Sequence, residues 1–215
     1  MPFKYSCFIS YRHCDHELGR RVVNEFYEGL VGELELSTLP AFLDKDGLET
    51  GDFYNERLAH ELCRSVCLVM VCFPNYFSVE HSYCTREYFA MKGLEEERLA
   101  VIDSAEEKDK GLIIPIVFRG LHHLPREITG RRMCRMFDSF LLSTPELHRH
   151  PEFAPSIKEI AEYIADRHRA LQPYESRIVT DCDRFALPSI AEVTPWLREF
   201  AIPAPAFPSL AGGNG

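Results

Sequence analysis

The residue whose surroundings point most directly to chemistry is Glu87, in the stretch Ser82-Tyr83-Cys84-Thr85-Arg86-Glu87-Tyr88-Phe89-Ala90-Met91. It falls inside a predicted helix, one turn after Tyr83 and nearly one turn before Ala90, with Leu94 a further turn on. A carboxylate on an otherwise apolar stripe is unusual, because partial desolvation disfavours its charged form. It is either a surface glutamate at the stripe edge or an acid held out of water for a purpose. The other chemistry-bearing residues are dispersed. His13-x-x-His16, His122-His123 and His148-x-His150 suggest metal ligation, but none pairs with a second cluster at ligand spacing, so no structural zinc is expected. The eight cysteines include no Cys-x-x-Cys. Cys7, Cys67 and Cys72 fall in predicted buried strands, Cys63 and Cys84 in helices, and Cys14, Cys134 and Cys182 are scattered. That placement reads as reduced core thiols rather than a disulfide framework.

The element that must position Glu87 lies just upstream. Residues 66–73, Val-Cys-Leu-Val-Met-Val-Cys-Phe, are an unbroken apolar run with no charge. The run is too short for a membrane span and lacks the alternation of a half-solvated strand, so it reads as a strand covered on both faces. A turn at Pro74 and Asn75 follows, and then the Glu87 helix, with Ser82 placed to cap it. Before this unit, residues 5–11 predict a first strand. A helix from about Asp15 to Val31 is next, with Leu18, Val22, Phe26 and Leu30 inward, and then a strand over about Leu36–Leu43. The acidic, glycine-bearing stretch 44–52 reads as a long exposed loop, and about Tyr54 to Cys63 as a helix.

Beyond the Glu87 helix, the acidic residues of 95–110, including Glu95 and Glu107, read as a solvated helix end and loop. Leu112–Phe118 predicts a fourth strand, placed toward one side of the sheet because Pro115 cannot donate a ladder hydrogen bond. A short fifth strand over Phe137–Leu142 and a long helix over about Ala154–Leu171 complete an alternating α/β pattern with right-handed crossovers. After Leu171 six of the fourteen prolines accumulate. A short helix around Trp196 is expected there, with Thr194 as cap and Pro195 in its first turn. The lone tryptophan suggests an anchor onto the domain or a partner, and the final dozen or so residues are expected to be disordered.

Composition bounds the function classes. At 215 residues and 46% hydrophobic the chain can bury one good-sized core. A net charge of −9 argues against a nucleic-acid backbone as main partner. No apolar run approaches the length of a bilayer span, and no early stretch has the form of a signal peptide, so a cytoplasmic protein without membrane contact is expected. The turn Ser10-Tyr11-Arg12-His13-Cys14-Asp15 has no glycine, which removes the dinucleotide fingerprint, and no P-loop pattern occurs. The third strand ends Cys72-Phe73-Pro74, without the aspartate of a phospho-receiver domain.

Four segments in order resemble a Toll/interleukin-1 receptor (TIR) domain over roughly residues 3–170. Phe8-Ile9-Ser10-Tyr11-Arg12 resembles the first TIR box. Phe42 to Gly47 and on through Gly51-Asp52, followed by a helix, resembles the second strand and BB loop. Ser65 to Val71 resembles the third strand with its lead-in serine. Ser82 to Glu87 is similar to the Ser-x-Trp-Cys-x-x-Glu region of enzymatic TIR domains, with spacing Ser-Tyr-Cys and Tyr83 in place of the usual tryptophan. The resemblance implies a flavodoxin-like open parallel five-stranded sheet of order 2-1-3-4-5, helices on both faces, for a domain over 1–170 with a Pro-rich extension over 171–215.

Ligands of such sheets bind beyond the carboxyl ends of the strands where the order reverses, here between strands one and three. Ser10, Tyr11 and Arg12 would line one side of that crevice, and the approach to Glu87 the other. The resemblance implies cleavage of the nicotinamide–ribose bond of NAD+. Glu87 would be the catalytic carboxylate, steadying an oxocarbenium-like ribosyl cation as carboxylates do in glycosidases. Ser10, Tyr11, Arg12, Asp46, Phe53 and Tyr83 would be substrate-binding. Tyr11, Phe53 and Tyr54 offer aromatic faces, although packing is the alternative role for each, and Arg12 can meet a phosphate. NAD+ would be substrate, with no bound cofactor or metal, and the product linear, cyclic or conjugated ADP-ribose. The resemblance further implies self-association through TIR surfaces. A free-standing TIR chain looks like the signal-producing component of bacterial anti-phage systems such as Thoeris, where a separate effector protein reads the product. The alternative is a non-catalytic module that works by TIR–TIR assembly.

Overall fold

The structure is a computed structural model, and it describes residues 3–13, 17–43, 54–79, 81–130, 134–140, 146–178 and 181–200. The expected disorder of the last residues and the exposed loop after the second strand lie outside the described residues.

Strand β1 (Tyr5–Tyr11) is followed by α1 (Glu17–Leu34), β2 (Ala41–Leu43), α2 (Tyr54–Cys63) and β3 (Ser65–Cys72). Then come α3 (Tyr83–Ala100), the short α4 (Ala105–Lys108), β4 (Ile113–Val117), the short α5 (Arg126–Thr129) and the two-residue β5 (Arg135–Met136). The chain ends with α6 (Phe153–Leu171), the single turn α7 (Glu175–Ile178) and α8 (Ile190–Phe200). All five strands are parallel, in the order β2-β1-β3-β4-β5. The architecture is the expected flavodoxin-like α/β sheet. Helices α1 and α6 pack together on one face, while α2 and α3 contact each other and the sheet, with α8 against α3.

Every residue of β3 is buried, as the unbroken apolar run requires of a strand covered on both faces. In α1 the inward residues are Val22, Val23, Phe26, Leu30 and Leu34, whereas Leu18 is exposed. Gly29 permits the close approach of α1 to α6, since a Cβ there would sit 3.3 Å from the Phe153 ring. The inward face of α6 is Ile157, Ile160, Ala161 and Ile164, as the periodicity predicts. Pro115 is accommodated by parity. Leu112 O and Phe118 N face β3, whereas Val117 O accepts from Phe137 on the β5 side. Pro115, odd like Val117, turns its missing donor toward β5, whose paired segment begins only at Ile116.

Several boundaries differ from the sequence reading. The second strand is only Ala41–Leu43, not Leu36–Leu43, because α1 runs on to Leu34 and Ser37 and Thr38 donate their N–H groups to Leu34 O. Leu36 is left exposed in that turn. The fifth strand is Arg135–Met136 rather than Phe137–Leu142. Phe137 makes the last ladder bond, to Val117 O, and the chain then turns so that Phe137 and Phe140 join an aromatic cluster with Phe26, Phe118 and Phe153. Ser82 precedes α3 with an αR backbone, and its side chain makes no capping bond.

The acidic stretch 95–110 is not simply solvated. Glu95 is buried and accepts from the backbone N–H of Leu112 at 2.5 Å and of Ile113 at 3.2 Å, tying α3 to the start of β4. Glu107 pairs with Lys110 and with the buried Arg167 of α6. The second polar anchor of α3 is Arg98, fully buried, whose guanidinium donates to Cys63 O at 2.6 Å and Ser65 O at 2.7 Å. Burial pushes its pKa down, to about 10, which still leaves a cation at neutral pH. Glu95 and Arg98 together fix the far end of α3 against the amino ends of β3 and β4.

The described part of the segment after α6, residues 172–178 and 181–200, is bound to the body. Cys63, at the end of α2, forms a disulfide with Cys182, which corrects the reading of uniformly reduced thiols. Two cysteines 119 positions apart meet because the extension returns across α2, and no local spacing announces that. Cys7, Cys67, Cys72 and Cys84 are free and buried, and burial raises each thiol pKa. Helix α8 begins earlier than Thr194. Ser189 and Glu192 form a reciprocal capping box, and Thr194 and Pro195 lie inside the helix. Trp196 is the anchor onto the domain, its ring against Phe77, Tyr88 and Phe89. No helix among the described residues is long and apolar enough to cross a membrane.

Candidate functional site

The reversal of strand order between β1 and β3 leaves a crevice at their carboxyl ends, and a cavity of about 300 Å³ occupies it. Its lining comes from the end of β1 and the residues after it (Ser10, Tyr11, Arg12, His13) and from the start of α3 (His81, Tyr83, Cys84, Glu87), over Phe8 and Ile9. The volume is at the small end for ligand pockets, room for a nucleoside-sized group.

Glu87 lies on the inner face of α3 and is 6% exposed. Ser10 is opposite Met70 in the β1–β3 register, at the penultimate position of β1, and its side chain reaches α3 through Glu87. Ser10 Oγ donates to Glu87 Oε2 at 2.5 Å and stands 2.6 Å from the hydroxyl of Tyr76. Tyr76 belongs to the turn after β3, is 1% exposed, and its pKa is raised well above the usual phenol value by burial, so it is a neutral donor. The buried carboxylate thus faces two hydroxyls in sequence.

The rim is aromatic and basic. Tyr11 and His13 stack with centroids 4.8 Å apart, and Arg12 donates to Asn75 O at 3.3 Å. Tyr83 is 39% exposed, with the Arg86 guanidinium 5.2 Å from its ring centroid. Arg86 is itself held by Pro188 O at 2.6 Å and Asn55 Oδ1 at 2.9 Å, so α2 and the C-terminal segment both brace this wall.

Of the residues singled out in the sequence, the structure brings Glu87, Ser10, Tyr11, Arg12 and Tyr83 to one cavity. Asp46 and Phe53 lie outside the described residues, and Tyr54 opens α2. Sequence reasoning did not single out His13 or His81 as site residues, nor Cys84 or Tyr76. His13, two residues past the end of β1, is the one that a strand-end rule finds; His81 and Cys84 flank the start of α3, and Tyr76 is found only through its contact with Ser10. Among the described residues no group of three or more His, Cys, Asp or Glu side chains is placed to hold a metal ion. The arrangement can take a small polar ring system against the Tyr11–His13 wall and present a carboxylate to it from an apolar floor. Anionic groups would meet Arg12 at the rim. Compared with known proteins, the chain matches no family model and no curated protein.

Proposed function

We propose that the chain is a TIR-domain enzyme that cleaves the nicotinamide–ribose bond of NAD+. The observation that carries the reading is Glu87, a carboxylate nine-tenths buried at the cavity between the ends of β1 and β3 and hydrogen-bonded by Ser10. Nicotinamide leaves NAD+ as a neutral molecule, taking the electron pair of the C–N bond, so no acid is needed to protonate it. What the reaction lacks in water is stabilisation of the positive charge left on the ribose. A fixed carboxylate in a water-poor site supplies that more strongly than solvent does.

The ribose would lie over Glu87, with nicotinamide against Tyr11 and His13 and the pyrophosphate toward Arg12. Water attacking the anomeric carbon gives ADP-ribose and releases a proton, while attack by another part of the same molecule gives a cyclic product. Motif order and the 2-1-3-4-5 topology support the family, and with it a role in bacterial anti-phage signalling through a separate reader protein, in the cytoplasm where NAD+ is abundant. The test is incubation of purified protein with NAD+ and chromatography of the products beside Glu87→Ala. Nicotinamide and an ADP-ribose species are expected from the wild type only. Equal product from both proteins removes Glu87 from the chemistry. Absence of product from a folded wild type at high protein concentration leaves an assembly module in its place.

A further inference from the structure

We propose that Tyr76 and Ser10 form a one-way hydroxyl chain that holds Glu87 in its working orientation, a positioning device resting on the reading of Glu87 as the carboxylate that faces the ribose. The three side chains come from three different segments: β1, the turn after β3, and α3. Two short contacts join them, 2.6 Å from Tyr76 to Ser10 and 2.5 Å from Ser10 to Glu87.

Counting protons fixes the direction. An ionised carboxylate only accepts, so the contact at Glu87 Oε2 uses the single proton of Ser10. Ser10 must then accept from its other neighbours, the Tyr76 phenol at 2.6 Å and the buried Cys84 thiol, and the phenol is the stronger donor. Burial keeps that phenol protonated. Its ring is fixed edge-on against Phe77, centroids 4.9 Å apart, and its backbone N–H is bound to Phe73 O, so the donor cannot swing away. The chain ends inside the protein at a 1% exposed phenol and cannot carry a proton to water. Its use is orientation: Tyr76 aims the Ser10 proton, and Ser10 aims the carboxylate.

The test has one readout that needs no substrate and one that does. In protein labelled at glutamate carboxyl carbons, NMR titration follows Glu87 in wild type, Ser10→Ala, Tyr76→Phe and the double variant. Ser10→Ala is expected to move the Glu87 midpoint up by about one pH unit, the tenfold equivalent of a lost hydrogen bond to a charged group. Tyr76→Phe should move it the same way by less. The double variant should match Ser10→Ala alone, because Tyr76 acts only through Ser10. In NAD+ cleavage both variants should lower kcat, by about tenfold for Ser10→Ala, with KM within about twofold. The acidic limb of the kcat profile should rise with the NMR midpoint. A Tyr76→Phe protein whose Glu87 titrates as in wild type, or effects that add in the double variant, overturns the chain. If Tyr76→Phe does not fold, an unmoved midpoint in Ser10→Ala overturns it equally. A wild type that releases no nicotinamide while the titrations follow this pattern overturns the proposed reaction and leaves the hydroxyl chain standing.

Discussion

Replacing both Cys63 and Cys182 with serine tests how the C-terminal segment is held. The bridge closes a loop over a sequence separation of 119 residues, and both sulfurs are buried. Loop closure of that length removes about 5 kcal/mol of chain entropy from the unfolded state, an upper figure because native-state relaxation subtracts from it. For a chain of this size each kcal/mol moves Tm by about 2–4 °C, so the double serine variant should melt about 10–20 °C lower. Circular-dichroism melts with and without a dithiol reductant measure this. Wild type in reductant should approach the variant, and the variant should not respond. Alkylation followed by mass spectrometry, before and after reduction, reports the bridge itself. The reasoning is refuted if Cys63 and Cys182 are both alkylated in unreduced protein after denaturation, or if the melts differ by less than a degree or two.

Three further outcomes follow from the docked extension, the buried arginine of α3 and the ion pair that ties α4 to α6. Trp196→Ala removes the ring seated among Phe77, Tyr88 and Phe89 and should destabilise docking of α8 by about 3 kcal/mol. Hydrogen exchange should then quicken in residues 190–200 and remain slow in β3. Arg98→Met leaves the carbonyls of Cys63 and Ser65 without their buried donor and should lower unfolding free energy by about 3 kcal/mol in urea titrations. Glu107 is held below its ordinary pKa of 4.5 by donors from Lys110 and Arg167. Its contribution is therefore present above that value and lost as pH falls through the lower folded value, so Glu107→Gln should flatten the acid-side loss of stability in urea midpoints taken at successively lower pH.

What could be read in the sequence follows from where burial alone dictates residue type. β3 must be apolar on both faces, and α6 must repeat apolar residues at helical spacing, so Val66–Cys72 and Ile157, Ile160, Ala161 and Ile164 announce themselves. The ends of β2 and β5 do not. They depend on Ser37 and Thr38 finding Leu34 O, and on the chain turning after the Phe137–Val117 bond to seat its phenylalanines in an aromatic cluster. The box Ser189-x-x-Glu192 is written in the chain, but so is the rival start at Thr194-Pro195; the reciprocal Ser189–Glu192 bonds form, and the Thr194 hydroxyl instead donates back to Ile190 O inside the helix. Glu95 illustrates the opposite failure. A glutamate beside two others looks solvated, and only the approach of β4 supplies the N–H groups that let it be buried.

In the site, Ser10, Tyr11 and Arg12 were legible because they end β1 at the reversal, and Tyr83 and Glu87 because a carboxylate on an apolar helix stripe falls in the motif resemblance over Ser82–Glu87. Tyr76 was not, since a turn tyrosine carries no periodic signal and its meaning comes from one contact with a residue 66 positions away.

The central claim is that a shielded carboxylate at position 87 steadies the sugar cation left behind as nicotinamide departs. Its most direct measurement is the rate of nicotinamide release from NAD+ by wild type and Glu87→Gln at equal concentration, each shown by its melt to be folded. The account predicts release by the wild type and a loss of at least about a hundredfold in the amide variant, the scale set by removing one preorganised group that meets developing charge. Equal rates from the two proteins would contradict it.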